Sequence, residues 1–212
     1  KNMDMNNLFD TAVIVSVLAA TLRIATPLIF ASLGELLSQR GGILNLGLEG
    51  TMLLSAFAAY CVSYVTGSSV IGLMAGALTG MFMNAFMSFM AVTLKLEQMV
   101  AGLATNFFGS GMSLFLYMTW FGGRSPTIVP LDETAIPLLA DIPYLGDIFF
   151  HQQILTYLAL ALVPGVWYLL FRTRFGLELR SIGENPKVAD TKGLSVPLRQ
   201  YAAMLIGGAL IG

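Results

Sequence analysis

Apolar residues run in long blocks along this chain, and polar residues gather between the blocks. A helix crossing a bilayer needs about 20 apolar residues at 1.5 Å each. Five blocks reach that length: Thr11–Leu33, Ile43–Val65, Val70–Leu94, Val100–Phe121 and Ile154–Phe171. A sixth begins near Pro197 and is still apolar at Gly212, which predicts a span cut short and further spans beyond it. The first block is too long for a signal-peptide core and lacks a basic leader, so it reads as a retained span. The pattern predicts an all-α, polytopic transmembrane bundle forming one domain over residues 1–212.

Composition agrees. Of the 212 residues 56% are hydrophobic and 11% charged, against about 25% charged in a soluble domain. Mean hydropathy is +0.77. Lipid must therefore be part of the solvent. A net charge of −1 argues against a nucleic-acid partner. Cys61 has no second cysteine to pair with, and the single His151 makes a histidine-based metal site an unpromising reading.

Two connections are long. Residues 122–153 hold Pro126, Pro130, Pro137 and Pro143 with Asp132, Glu133, Asp141 and Asp147, and one basic residue, Arg124. Residues 172–200 hold Arg172, Arg174, Arg180, Lys187, Lys192 and Arg199, six of the eleven Lys and Arg in the chain. The positive-inside rule puts the second loop in the cytoplasm and the first outside. The leader, with Asp4, Asp10 and Lys1, then starts outside. The acidic outer loop suits a basic partner surface, or is simply a solvated loop.

Gly72, Gly76 and Gly80 recur every four residues, and Gly208 and Gly212 repeat the spacing. Such ridges let backbones approach closely in lipid.

The cytoplasmic stretch reads RTRFGLELRSIGENPKVADTKGLSVPLRQ. Asn185 suits an N-cap, Pro186 the first helical position and Gly193 the residue past the end. That predicts a two-turn helix over Pro186–Lys192, after a turn at Gly183, with a second helix starting near Pro197. A firmly capped short helix is a compact protrusion able to dock on a partner; read locally, an ordinary surface helix linking two spans is the better reading.

GENPKVADTKGLSV resembles the cytoplasmic coupling segment of the branched-chain amino acid, ribose and nucleoside group of ABC importer permeases. ATPLIFASLGELLSQRGGILNLGLEGTMLLSAFAAY resembles the same group, and most closely its nucleoside and simple-sugar branch. The resemblance implies a fold like the vitamin B12-type importers, and import of a nucleoside or simple sugar across a prokaryotic inner membrane. It implies a second, different permease chain, two ATPase subunits and an extracytoplasmic binding protein as partners. Branched-chain amino acids are the nearest alternative cargo.

The chain has no Gly-x4-Gly-Lys-Ser/Thr pattern, so ATP is expected to be hydrolysed by a partner, with no cofactor and no catalytic site on this chain. On that reading Gly183, Glu184, Asn185, Pro186, Ala189 and Gly193 contact the ATPase. A secondary transporter or channel would want a charged relay at mid-membrane. An intramembrane enzyme is disfavoured, because no HExxH or GxSxG motif occurs.

The second span opens GGILNLGLEG. Read as continuous helix, it puts Asn45 and Glu49 on one face. Glu49 then lies about 12 Å along the helix from Gly41, and Arg23 about 15 Å from Leu33. Charges in a membrane are costly alone, so Arg23 and Glu49 are expected to pair, either as a packing lock or as part of the pathway. Asn45, Glu49, Asn84, Gln98, Thr105 and Asn106 are polar pathway candidates. Asn106 lies about one turn from Gly102 and Gly109. Neutral donors and acceptors suit sugar hydroxyls and base edges, though each also suits a bond to a neighbouring helix.

Overall fold

The computed structural model describes residues 11–122, 127, 133–135 and 151–212. In order its elements are α1 (Thr11–Arg40), α2 (Leu48–Thr66), α3 (Ser69–Ser88) continued by a π-helical turn (Phe89–Thr93), and α4 (Gln98–Phe121). Strands β1 (Glu133–Ala135) and β2 (His151–Gln153) come next. They are followed by α5 (Ile154–Arg172), α6 (Arg174–Glu184), α7 (Pro186–Thr191) and α8 (Val196–Ile211). Among the described residues five helices are long and apolar enough to cross a membrane, and α8 is a shorter apolar helix. The protein is an all-α, multi-pass membrane protein. Its surface inverts the soluble pattern, with Ile24, Val65 and Phe107 each at least 70% exposed, as lipid-facing side chains should be.

Contacts divide the chain into two units, Lys1–Ile29 with Leu131–Leu162, and Phe30–Pro130 with Val163–Gly212. In the first unit β1 and β2 pair antiparallel, Thr134 opposite Gln152. The hydroxyls of Thr26 and Thr156, both buried, lie 3.0 Å apart and join α1 to α5. The Gln152 side-chain amide donates to the Ala19 carbonyl at 3.4 Å. Lys1, Asp4, Asp10, Arg124, Asp132, Asp141, Asp147, Pro126, Pro130, Pro137 and Pro143 lie outside the described residues.

In the second unit, small residues set the packing. Gly76 and Gly80 of α3 face Gly208 of α8 and Gly212 just past its end. A β-carbon at Gly76 would sit 2.7 Å from the Gly212 carbonyl oxygen, and one at Gly208 2.5 Å from that of Gly80. Two of the three glycines of the α3 ridge thus meet the second ridge, while Gly72 lies against Ala59 and Ser63 of α2. Gly34 of α1 meets Gly207 of α8 in the same way. Without a hydrophobic drive between helices in lipid, such backbone contact supplies the van der Waals attraction that holds them together. Ile43, Met87 and Met204 form a buried apolar cluster beside these contacts.

The structure corrects four expectations. The first helix does not stop at Leu33 but runs to Arg40. Leu33 and Leu37 are buried there, and Gln39 donates to Glu35 one turn earlier at 2.9 Å, so its polar end is still packed helix. The second helix does not begin at Ile43; its first residue is Leu48. The third ends as α-helix at Ser88, where its last turn widens: the Leu94 N–H reaches back to Phe89 at 3.0 Å and that of Leu96 to Met90 at 3.1 Å. The fourth correction concerns the stretch read as loop after Arg172, which is mostly helix. Gly176, Leu179 and Ile182 are buried on one face of α6. The Thr173 hydroxyl caps α6 by accepting the Gly176 N–H at 3.2 Å. Gly183 is therefore not a turn but lies in the last turn of α6.

Candidate functional site

Between α1 and α2 the chain leaves the helix for seven residues, Gly41–Gly47. Gly42 takes φ +80°, a left-handed conformation that glycine adopts at little cost and that ends helices. The Gly41, Gly42 and Ile43 N–H groups close the end of α1 on Leu37, Ser38 and Gln39 carbonyls at 3.0–3.2 Å.

Beyond that point the backbone has no ladder, and unpaired peptide groups near lipid cost several kcal/mol each (order of magnitude). Side chains from three helices supply missing bonds, and a fourth helix holds the Asn45 side chain. The Gln98 amide at the start of α4 accepts the Leu44 N–H at 3.0 Å and donates to the Gly42 carbonyl at 3.1 Å. Glu35 of α1 accepts the Asn45 N–H at 3.2 Å. Gln200 of α8 donates to the Gly41 carbonyl at 3.0 Å. Asn45 accepts the Gly47 N–H at 3.1 Å and donates to Asn84 of α3 at 3.1 Å. Asn84 passes the chain on, donating to the Met204 carbonyl of α8 at 3.1 Å. Asn45 and Asn84 are buried, at 4% and 0% exposure. An irregular segment tied to α1, α3, α4 and α8 at once is a junction through which all four helices are coupled.

The hairpin of α6 and α7 abuts this junction. Gly183 lies against the Arg40 carbonyl, and a β-carbon at Gly42 would be 3.3 Å from the Gly183 Cα. After Gly183 the chain turns at Asn185, whose side chain accepts the Val188 N–H at 3.2 Å and caps α7. Pro186 occupies the first turn. Gly193, at φ +81°, ends α7 with its N–H on the Asp190 carbonyl at 2.9 Å. Ala189 is buried, while Lys187, Val188, Asp190 and Thr191 are exposed. An ion pair of 2.6 Å between Glu178 and Arg199 ties α6 to α8.

Of the residues singled out from sequence, Asn45, Asn84 and Gln98 therefore meet at one junction. Gly183, Glu184, Asn185, Pro186, Ala189 and Gly193 form the hairpin beside it. Asn45 and Glu49 do not share a helix face, because Asn45 precedes the helix; Glu49 lies in the first turn of α2 with its side chain exposed. The depth assigned to Glu49 from a continuous helix falls with it. Arg23 belongs to the first unit and Glu49 to the second. Asn106 stands apart on α4, its backbone against Gly50 of α2 and its carbonyl accepting the Ser110 hydroxyl at 2.8 Å. Thr105 is buried and bonds the Ala101 carbonyl of its own helix at 2.8 Å. Glu35 and Gln200 were missed. Each looked like a polar residue at a helix end, and only the position of the broken segment reveals its role.

A groove of about 610 Å³ opens between α2 and α4, lined by Phe57, Tyr60, Tyr117, Ser110 and Ser113 among others. Ser113 bridges its walls by donating to the Leu53 carbonyl at 3.0 Å.

A family model described as "Branched-chain amino acid transport system / permease component" matches residues 17–212. The chain is similar to the nucleoside ABC transporter permease protein of Lactococcus lactis subsp. cremoris, 37% identical over 204 residues, covering 92% of this chain and 64% of that one. It is 36% identical over 213 residues to the guanosine ABC transporter permease protein of Bacillus subtilis, covering 96% and 67%. A Haloferax volcanii protein provisionally named a glucose ABC transporter permease is 38% identical over 199 residues, covering 92% and 60%. The chain thus spans 60% to 67% of the length of these relatives. No solved structure gives a significant match. With its apolar helices and this match over nearly its whole length, the chain belongs to the family of transport-system permease components described for branched-chain amino acids.

Proposed function

We propose that this chain is the pathway-forming permease subunit of an ABC importer for a nucleoside or simple sugar, in a prokaryotic cytoplasmic membrane. The observation that carries the mechanism is the seat of Gly183 on the Arg40 carbonyl and Gly42. It joins an exposed, capped cytoplasmic helix to a break in the membrane helices with no flexible linker between. On this reading a partner ATPase hydrolyses ATP and closes on α7. The push passes through α6 to the Gly41–Gly47 segment and tilts α1, α2 and α4, giving alternating access. An extracytoplasmic binding protein delivers cargo to the outer face, and a second permease chain completes the pathway.

The cargo reading draws on the relatives named for nucleoside, guanosine and glucose transport. The α2–α4 groove supports it, since rings to stack on and hydroxyls to bond suit an uncharged base or sugar. Asn106 and Glu49 are further pathway candidates.

The test is ATPase activity of the complete transporter in lipid, with its binding protein, on adding nucleosides, simple sugars or branched-chain amino acids. Stimulation by a nucleoside or sugar, dependent on the binding protein, is expected. Stimulation by branched-chain amino acids alone would overturn the cargo. Failure to form a stable complex with any ATPase would overturn the importer itself.

A further inference from the structure

Where α5 ends, two rings and two guanidiniums stand in line. Trp167 and Phe171 lie one turn apart, with ring centres 6.1 Å apart and planes tilted by 31°. The Arg172 guanidinium lies 5.8 Å from the Trp167 ring centre, and that of Arg180, on α6, lies 4.8 Å from the Phe171 ring centre. The order is cation, ring, ring, cation. Each guanidinium sits over a ring face, which holds it by attraction to the ring's quadrupole and leaves its N–H edge for another acceptor.

Both rings are half exposed, at 51% and 44%. Among the described residues neither guanidinium has a carboxylate partner; the nearby acid Glu178 is taken by Arg199 at 2.6 Å. Arg180 spends only its Nε, weakly, on the Gly176 carbonyl at 3.4 Å. The flat apolar shelf ends an apolar span and the charges begin at the next residue. The shelf therefore lies at the hydrocarbon edge with the guanidiniums at phosphate level.

We propose that Trp167, Phe171, Arg172 and Arg180 form a headgroup site for an anionic phospholipid of the cytoplasmic leaflet. The two forks grip the phosphate, and the rings cover the glycerol and first acyl carbons. A zwitterionic lipid presents the same phosphate but also an ammonium, which the paired cations repel. The site rests on the charge-derived orientation of α5 and is independent of the cargo. Because α6 carries Arg180, an occupied site would brace the base of the hairpin against the membrane.

Trp167 reports occupancy directly. The chain has two tryptophans, so Trp120→Phe, with any tryptophan in the rest of the intact protein also replaced, leaves it as the sole emitter. The protein is reconstituted in vesicles holding brominated phosphatidylglycerol or brominated phosphatidylcholine at equal mole fraction. Stronger quenching by the phosphatidylglycerol is expected. Arg172→Gln and Arg180→Gln should each lower that preference, by up to about fivefold. If the double variant does not fold, Arg180→Lys, which keeps charge but loses the flat fork, should weaken the preference without abolishing it.

Equal quenching by both lipids, or a preference that survives loss of both arginines, overturns the site. Trp167 shielded from both lipids in the assembled transporter, and quenched only after the ATPase is stripped, would assign the face to protein contact and also overturns it.

Discussion

Gly183 in the last turn of α6 rests on the carbonyl oxygen of Arg40 at the end of α1, with no room for a β-carbon between them. Two helix ends, 143 positions apart in the chain by their numbers, 183 and 40, meet backbone to backbone. Any side chain at 183 must therefore move α6 away from the membrane helices rather than shift a rotamer.

Gly183→Val should separate hydrolysis from transport. Overpacking costs about 1–3 kcal/mol, enough to shift α6 without unfolding the bundle. In the reconstituted transporter, ATP hydrolysis should persist while uptake falls at least about tenfold. Parallel loss of both, with the protein still in the membrane, would mean that the contact is needed for assembly and not for coupling.

The Gln98 clasp holds two backbone groups with one amide. Gln98→Ala leaves both without that partner and should lower stability by about 1–3 kcal/mol. Gln98→Glu keeps the acceptor for Leu44 N–H but sets an oxygen against the Gly42 carbonyl, so it should not recover the wild-type midpoint. Gln98→Ala unfolding in detergent at the wild-type temperature would remove the clasp from the account.

Asn45 and Asn84 are predicted to be coupled. A double-mutant cycle with alanine at each should give an interaction energy of about 0.6–2 kcal/mol, the range for polar pairs between membrane helices. Additive single effects, read from denaturation in mixed micelles, would show that each side chain works alone.

Capping of α7 depends on Asn185. Asn185→Ala should cost about 1 kcal/mol locally, and Asn185→Ser or Asn185→Asp should restore most of it. Hydrogen exchange of the Val188 amide, which Asn185 accepts at 3.2 Å, is the direct measure. Exchange unchanged in the alanine variant would show that the partner or the bilayer, not the cap, orders this helix.

The long apolar blocks gave their helices away because each satisfies its own backbone bonds, so length and composition suffice to recognise them. Asn185, Pro186 and Gly193 were readable for the same reason, since a cap acts within its own turn. The break at Gly41–Gly47 was not. GGILNLG is apolar enough to pass for helix, and what keeps it open is a set of bonds from Glu35, Asn84, Gln98 and Gln200, four residues scattered over the chain. Likewise α6 was hidden by its length: its buried Gly176, Leu179 and Ile182 make a stripe too short to register as a span. Asn45, Asn84 and Gln98 were picked out as polar residues in apolar surroundings, yet their meeting point depends on helix packing that no local pattern encodes.

Main chain lies directly on main chain where Gly76 and Gly80 meet Gly208 and Gly212. Side chains in most interfaces act as cushions, because they can turn between rotamers and soak up small displacements. Here there are none. Where these four glycines cross, a displacement of α8 reaches α3 through backbone alone. At that crossing the pair behaves as a single stiff strut.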